Sequence, residues 1–237
     1  MNTKIAFIIG IAIVIAAMIL GCFFYQARKS VNTIRVVGYA AGDYDSDILK
    51  WKIAISAQSP QNDMMRGFIS LNNDITRFRT FLTEKGFDAS ELEIMPSWNY
   101  ANYNRDGVIT SYHFEQNIAF TLKNQARFEE IENLAFDLTD LTKTGIIIKN
   151  SAVEYYISEL PELKKEIIGE ATKDALQRAQ QVANTTNTKL GKLLNGRVGV
   201  FQITEPLSVE VQSYGIYSTH TKKKQISVTL TGDFELK

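Results

Sequence analysis

The chain has two histidines, His113 and His220, and neither stands in a recognisable catalytic arrangement. His113 alternates with Glu115 and Asn117, which predicts the polar face of a β-strand and a surface histidine. His220 lies among Ser, Thr and Lys residues, which predicts an exposed loop. The spacing defines no Ser-His-Asp set, no HExxH motif and no glycine-rich phosphate loop. The sequence therefore predicts no catalytic, cofactor-binding or metal residue, and we expect a protein that is not an enzyme.

Three aspartates at alternating positions, Asp43, Asp45 and Asp47, invite comparison with a calcium site. An EF-hand loop needs glycine at its sixth position and glutamate at its twelfth. Counted from Asp43, those positions hold Ile48 and Ala54. We therefore predict a solvated connection between two strands, with a looser metal site as the alternative.

Five aromatic residues cluster in the middle of the chain and could stack on a glycan or a peptide. Our main expectation is that they face a hydrophobic core, and their exposure in the structure distinguishes the two interpretations. They are Trp98, Tyr100, Tyr103, Tyr112 and Phe114.

The charge balance excludes a general attraction to nucleic acid. Lys plus Arg and Asp plus Glu both number 26, so the net charge is zero. The one basic run, 222–224, is predicted to be the solvated start of a strand.

The N-terminal segment is predicted to anchor the chain in a membrane. Residues 5–25 carry no charge, and a helix of that length crosses a hydrocarbon core of about 30 Å. A lipoprotein that is modified at Cys22, the single cysteine, and a cleaved signal peptide are the alternatives. Lys4 and the amino terminus on one side nearly balance Arg28 and Lys29 on the other, so charge alone does not decide orientation. We assign residues 1–29 to this anchor or uncleaved signal and residues 30–237 to one domain, joined by a linker at 30–33.

Hydrophobic periodicity predicts most of the remaining elements. Alternation over 49–57 predicts a strand that follows a polar connection at 42–47, and an apolar stripe from Met64 to Leu82 predicts a helix that Ser59-Pro60 opens and Gly86 closes. Further apolar patterns predict a helix that is marked by apolar residues from Phe128 to Leu138 and ends near Gly145. They also predict strands at 34–38, 146–157, 198–203, 209–211 and 224–236.

A hairpin is predicted between residues 92 and 122, and its register can be argued. The apolar residues of both arms occupy even positions, so pairing them on one sheet face requires a loop of odd length. Arg105-Asp106-Gly107 supplies that loop, with Gly107 in the left-handed position. This register places Trp98 opposite Phe114 and Tyr100 opposite Tyr112.

A helix from Pro161 to Asn184 carries apolar residues every four positions, and the upper part of this ridge consists of alanines alone. Such a ridge of methyl groups lets another backbone approach closely. The predicted order, ββαββαβαβββ, indicates an α+β fold with antiparallel sheet and packed helices, preceded by one transmembrane helix.

These features in this order resemble the SIMPL domain family, also known as DUF541, from Thr33 to Lys237. The matching features are Ile34-Arg35-Val36-Val37-Gly38, Asp47 before a strand with Trp51, Ala171-x-x-x-Ala175-x-x-x-Ala179-x-x-x-Ala183, Leu190-Gly191-Lys192 and the closing strand. The chain departs from the family pattern at Asn187, where glycine is common, and lacks the usual proline before the aspartate.

The resemblance implies an exported α+β domain of the cell envelope, on the periplasmic or outer side of a single-pass anchor, and some relatives form ring-like homo-oligomers. It supplies no catalytic residues. We expect action by binding or homo-oligomeric assembly, with no nucleic-acid partner. The alternatives are a glycan- or peptide-binding module that uses the aromatic hairpin, and an anchored hydrolase whose site is assembled from scattered residues.

Overall fold

The structure is a computed structural model that describes residues 3–28 and 32–237; Lys29, Ser30 and Val31, in and beside the predicted linker, lie outside the described residues. The α-helices are α1 (Thr3–Arg28), α2 (Met64–Glu84), α3 (Phe128–Phe136), α4 (Thr139–Lys143) and α5 (Leu160–Thr185). The strands are β1 (Thr33–Asp45), β2 (Ile48–Pro60), β3 (Leu92–Ile94), β4 (Trp98–Tyr103), β5 (Ile109–Leu122), β6 (Ile147–Tyr156), β7 (Leu190–Val198), β8 (Gln202–Thr204), β9 (Ile216–Tyr217) and β10 (Lys223–Leu236). The predicted α+β class is confirmed.

Helix α1 is long and apolar enough to cross a membrane over Phe7–Tyr25. The side chains of this stretch are exposed in the structure, unlike those of a core helix in a soluble protein. A signal sequence has the same character, so the helix is a candidate for either role.

The chain forms two compact units built from separate segments. The first unit contains Met1–Tyr39, Glu170–Gly199 and Thr229–Lys237, and the second contains Ala40–Gly169 and Val200–Val228.

The second unit is built on an antiparallel sheet of order β3-β5-β2-β6, with β4 also paired to β5. Strand β2 pairs with β5 from Leu49 opposite Leu122 to Pro60 opposite Ser111. Its odd-numbered residues are buried, and Trp51 lies edge-on to Phe78 of α2 with ring centroids 5.5 Å apart. The predicted strand and amphipathic helix are thus confirmed, and together they form the core of this unit.

The boundaries of α2 correct one prediction. Pro60 ends β2 instead of opening the helix, which begins at Met64 because the Asp63 carboxylate accepts a hydrogen bond from the Arg66 amide at 3.1 Å. Gly86 follows the helix with φ of +78°, as its predicted role in closing the helix requires.

The single helix predicted from Phe128 to near Gly145 is two helices. Asp137 leaves the helical conformation after α3, and its carboxylate accepts from the Thr139 amide at 3.0 Å to start α4. Gly145 has φ of +92° and ends the segment as predicted.

In the first unit, β10 lies between β1 and β7 and pairs with β7 from Leu230 opposite Val198 to Leu236 opposite Leu190. The alanine ridge of α5 is fully buried at Ala171, Ala175, Ala179 and Ala183. Gly38 of β1 packs so closely on it that an added Cβ would lie 2.2 Å from the Ala171 carbonyl oxygen. The predicted close approach of another backbone to this ridge is confirmed.

Three strand predictions need correction. Strand β1 continues to Asp45, so the polar connection predicted over 42–47 is reduced to Ser46 and Asp47. Residues 190–198 are strand β7, which ends where a strand was predicted at 198–203, and residues 209–211 are not a strand. In the second unit β8 pairs antiparallel with β10 and parallel with β9. The strand beside β8 is therefore 216–217, and not the predicted 209–211.

Candidate functional site

The loop of the β4–β5 hairpin has the predicted three-residue form. Gly107 has φ of +76°, and the Asn104 amide donates to the Val108 carbonyl at 2.9 Å. The Asn104 side-chain oxygen also accepts from the amides of Asp106 and Val108 at 3.0 and 2.9 Å. This side chain therefore fixes the turn.

The register beyond the loop differs from the prediction because of a β-bulge. Tyr103 pairs with Ile109 but Asn102 pairs with Ser111, so Thr110 has no opposite residue. The Thr110 hydroxyl instead donates to the Asn102 carbonyl at 3.1 Å. The bulge shifts every later pair by one residue.

As a result, Trp98 lies opposite Glu115 and Tyr100 lies opposite His113. The predicted pairs, Trp98 with Phe114 and Tyr100 with Tyr112, are wrong. Because directly opposed residues share a sheet face, these four side chains lie together on the sheet face opposite the core. We call this set, Trp98, Tyr100, His113 and Glu115, the aromatic face.

Because of the bulge, the five aromatic residues do not share one environment: some are buried and others are exposed. Phe114 is fully buried and lies against Phe68 of α2, with ring centroids 4.9 Å apart, and Tyr112 packs at the edge of the same core. Trp98 and Tyr100, in contrast, are 47% and 43% exposed. The prediction of core-facing aromatics holds for Tyr112 and Phe114 and is wrong for Trp98 and Tyr100; Tyr103 is exposed as well.

The two exposed rings form an ordered stack. The centroids of Trp98 and Tyr100 are 5.6 Å apart with 25° between the ring planes, and Tyr100 lies 4.9 Å from the His113 ring. His113 is only 3% exposed, so the prediction of a surface histidine is wrong. It lies on a central strand, where it pairs with Gln58 of β2 on one side and with Tyr100 of β4 on the other.

The aromatic face carries a carboxylate with no basic partner from Lys or Arg in the described part of the chain. Glu115 Oε1 lies 3.0 Å from His113 Nε2. The lysines on the same sheet face pair elsewhere, Lys50 with Glu93 at 2.6 Å and Lys52 with Glu154 at 2.7 Å. The aromatic face therefore combines two half-exposed rings with an acceptor that carries negative charge.

A second candidate lies in the second unit, around the segment from β8 to β9. A polar cavity of about 420 Å³ is lined by residues that include Glu205, Glu210, Tyr217 and His220. His220 is exposed in a loop, as predicted. Burial raises the pKa of Tyr217, whose hydroxyl accepts a hydrogen bond from the Ile157 amide at 3.2 Å. Within residues 3–28 and 32–237, no three His, Cys, Asp or Glu side chains converge as metal ligands.

Lys224 shows that the basic run is not wholly solvated. Lys222 and Lys223 are exposed, but Lys224 is fully buried on the same side of β10 as Ile226 and Val228. Its ammonium donates to the Thr221 carbonyl at 2.6 Å, and burial lowers its pKa to about 8. The prediction for this residue is wrong because the two-residue period of the strand continues through it.

The predicted aspartate cluster is dispersed among structural contacts. Asp43 lies on β1 and accepts from the Gln225 amide group at 3.0 Å. Asp47 accepts from the Ser158 amide at 2.8 Å and from the Ser158 hydroxyl, just before α5 begins. These contacts connect chain segments.

Residues 34–234 match a family model described as SIMPL, a protein of unknown function (DUF541). The chain belongs to the SIMPL family. No curated protein matched it in a sequence search. The SIMPL family is not a known enzyme family, so the family supplies no site residues, and the candidate site rests on the geometry above.

The structure gives physical reasons for the SIMPL features seen in the sequence. Gly38 is needed where β1 meets the alanine ridge, and Asp47 holds the start of α5. Asn187, where this chain departs from the usual glycine, has φ of +53°. Asparagine is the residue that best replaces glycine in this left-handed conformation, so the departure preserves the fold.

Proposed function

We propose that this SIMPL protein is anchored in a membrane by α1 and acts outside the cytoplasm by binding a ligand at the aromatic face. Residues 1–29 form the anchor and residues 30–237 the binding domain. The observation that supports binding most directly is the exposed, ordered stack of Trp98 on Tyr100.

Aromatic side chains contribute most to binding when a ligand covers them. Covering about 100 Å² of exposed ring contributes about 2.5 kcal/mol at 25 cal/mol per Å². The stack also lies on buried His113, whose contact with Glu115 fixes the polar groups before a ligand arrives. A surface ordered in this way loses little entropy on binding.

Isothermal titration calorimetry on the full chain tests this proposal. The protein is held in a non-ionic detergent without a sugar headgroup and titrated with chitotetraose and with a capped peptide of alternating Thr and Lys. We expect at least one probe to bind and Trp98→Ala or Tyr100→Ala to abolish binding. Tyr214→Ala, which removes an exposed tyrosine elsewhere, is the matched control. Binding that survives both aromatic substitutions, or no binding by either probe, would overturn the proposal.

Homo-oligomeric assembly is a second candidate function, favoured by strand β7. In the described part of the chain β7 pairs with β10 alone, and its residues Leu193, Leu194 and Val198 are exposed. An exposed apolar edge strand is a template for pairing with another chain. Light scattering coupled to size exclusion should give a protein mass above that of the monomer. The Leu194→Lys substitution should reduce this mass. A monomer at tens of micromolar contradicts assembly.

A further inference from the structure

We propose that the aromatic face receives a lysine or arginine side chain from an extended peptide that pairs with the free edge of β4. This inference rests on the proposed binding function and adds the chemical class of its ligand.

The charge of the aromatic face favours a cationic ligand. The Glu115 carboxylate contacts His113, and no Lys or Arg forms an ion pair with it among the described residues. Because it lies directly across from Trp98, a cation that contacts the ring can approach this carboxylate. A negatively charged ligand would be repelled at the same place.

The electronic character of the two exposed rings also favours a cation. The faces of Trp and Tyr attract ammonium and guanidinium groups through the ring quadrupole, and Trp does so most strongly. Trp98 and Tyr100 are half exposed, so a cation reaches them without any rearrangement of the core. The aliphatic stem of a lysine or arginine side chain can lie along the same rings while the charge remains near Glu115.

The free edge of β4 favours a peptide as the source of the cation. Strand β4 is six residues long and pairs with β5 alone in the described part of the chain, so its other edge has unpaired backbone groups. An extended peptide can pair there as an added strand about 4.8 Å away. Alternate side chains of that strand then lie beside Trp98 and Tyr100, on the face that contains Glu115.

The test compares peptides that differ only in charge, by calorimetry on the full chain in the same detergent. A capped peptide of alternating Thr and Lys is titrated beside the same peptide with every lysine acetylated. We expect the charged peptide to bind about tenfold more tightly, and Glu115→Gln to remove that difference. Glu115→Gln preserves the size of the side chain and a hydrogen-bonding oxygen next to His113. Glu93→Gln, which removes a carboxylate paired with Lys50, is the matched control and should leave the difference unchanged.

Two further peptides test the pairing with β4. Each has alternate backbone nitrogens methylated, in one phase or the other, so that one of them cannot donate hydrogen bonds to the strand edge. We expect one phase to lose binding and the other to retain it. Equal binding of both methylated peptides and the parent would overturn the pairing with β4.

The outcomes separate this inference from the proposed function. If acetylated and charged peptides bind equally and Trp98→Ala abolishes both, the cation site is wrong and the binding function stands. If chitotetraose binds in a Trp98-dependent way and the peptides do not bind, the cation site is again wrong and the binding function stands. The ligand is then a neutral glycan. If neither kind of probe binds, both proposals fail.

Discussion

Replacing Gly38 with alanine should destabilise the protein because the added methyl group has no space. Its Cβ would lie 2.2 Å from the Ala171 carbonyl oxygen, 2.5 Å from the Ala175 nitrogen and 2.8 Å from the Ala175 Cβ. Two of these atoms belong to the backbone of a helix and cannot rotate away. Overpacking of this kind costs about 1–3 kcal/mol, and we expect the upper end here.

Gly169→Ala is the matched control because it adds the same methyl group to a helical position of α5 where, apart from the chain neighbours and the local helix backbone, no atom lies within 4 Å. Alanine is preferred to glycine in a helix by about 1 kcal/mol, so this variant should be more stable than the wild type. The two substitutions are chemically identical and should act in opposite directions.

Thermal unfolding followed by circular dichroism of the full chain in detergent measures both effects. For a chain of this size, a loss of 3 kcal/mol lowers the midpoint by about 6–12 °C. The Gly38→Ala variant should show that decrease, while Gly169→Ala should show a small increase. If Gly38→Ala unfolds at or above the midpoint of Gly169→Ala, the close contact between β1 and the alanine ridge is refuted.

Three further predictions follow from the structure, and a fourth tests the proposed placement outside the cytoplasm. Ala179→Leu should destabilise the protein by about 1–3 kcal/mol in urea unfolding through overpacking, and the exposed Gln177→Leu should cost much less; equal small effects would contradict the ridge. Gly107→Val should lower the free energy of unfolding by about 1–2 kcal/mol because a β-branched residue is strained at φ of +76°, while Gly107→Asn should be tolerated. A Gly107→Val variant as stable as the wild type would contradict this prediction. The lowered pKa of Lys224 means that the unfolded chain binds more protons between about pH 8 and 10.5, so stability should rise across that window and Lys224→Met should remove the rise; a flat wild-type profile contradicts it. Protease added to intact spheroplasts that express the chain should digest residues 30–237, and full protection would contradict an extracytoplasmic domain.

The sequence predicted the elements whose period is regular over many residues. The alternation in β2, the apolar stripe of α2 and the alanine ridge of α5 all appear where expected, because each pattern repeats over several turns or pairs. Positive φ values at Gly86, Gly107 and Gly145 also confirm the predicted ends and turn. Such local rules need no knowledge of distant contacts.

The aromatic face was missed because one unpaired residue reverses the sides of a strand. The loop at Gly107 was predicted correctly, but Thr110 adds a residue to β5 that no local preference reveals. With it, Trp98 and Tyr100 lie on the open face instead of the core face, and His113 is buried beside Tyr100. A bulge depends on pairing between strands, so the periodicity of either strand alone does not indicate it.

For Lys224, a useful signal was present in the sequence. Lys224 continues the even positions of Ile226 and Val228, so the alternation itself indicated burial. The preference of lysine for water led to the opposite prediction. The strand register prevails because moving this one side chain to solvent would displace several apolar residues from the core.

The two tryptophans of the chain occupy contrasting environments, and this gives the protein two optical reporters of its own. Trp51 is fully buried, with its indole nitrogen donating to the Ser151 hydroxyl at 2.9 Å, whereas Trp98 is half exposed on the aromatic face. Emission from Trp51 should lie at short wavelength and resist iodide quenching, and emission from Trp98 should lie at longer wavelength and be quenched. A ligand at the aromatic face should then protect only the Trp98 emission from iodide, while unfolding of the core should move the Trp51 emission to longer wavelength. Native fluorescence can thus separate occupancy from unfolding in one unlabelled sample.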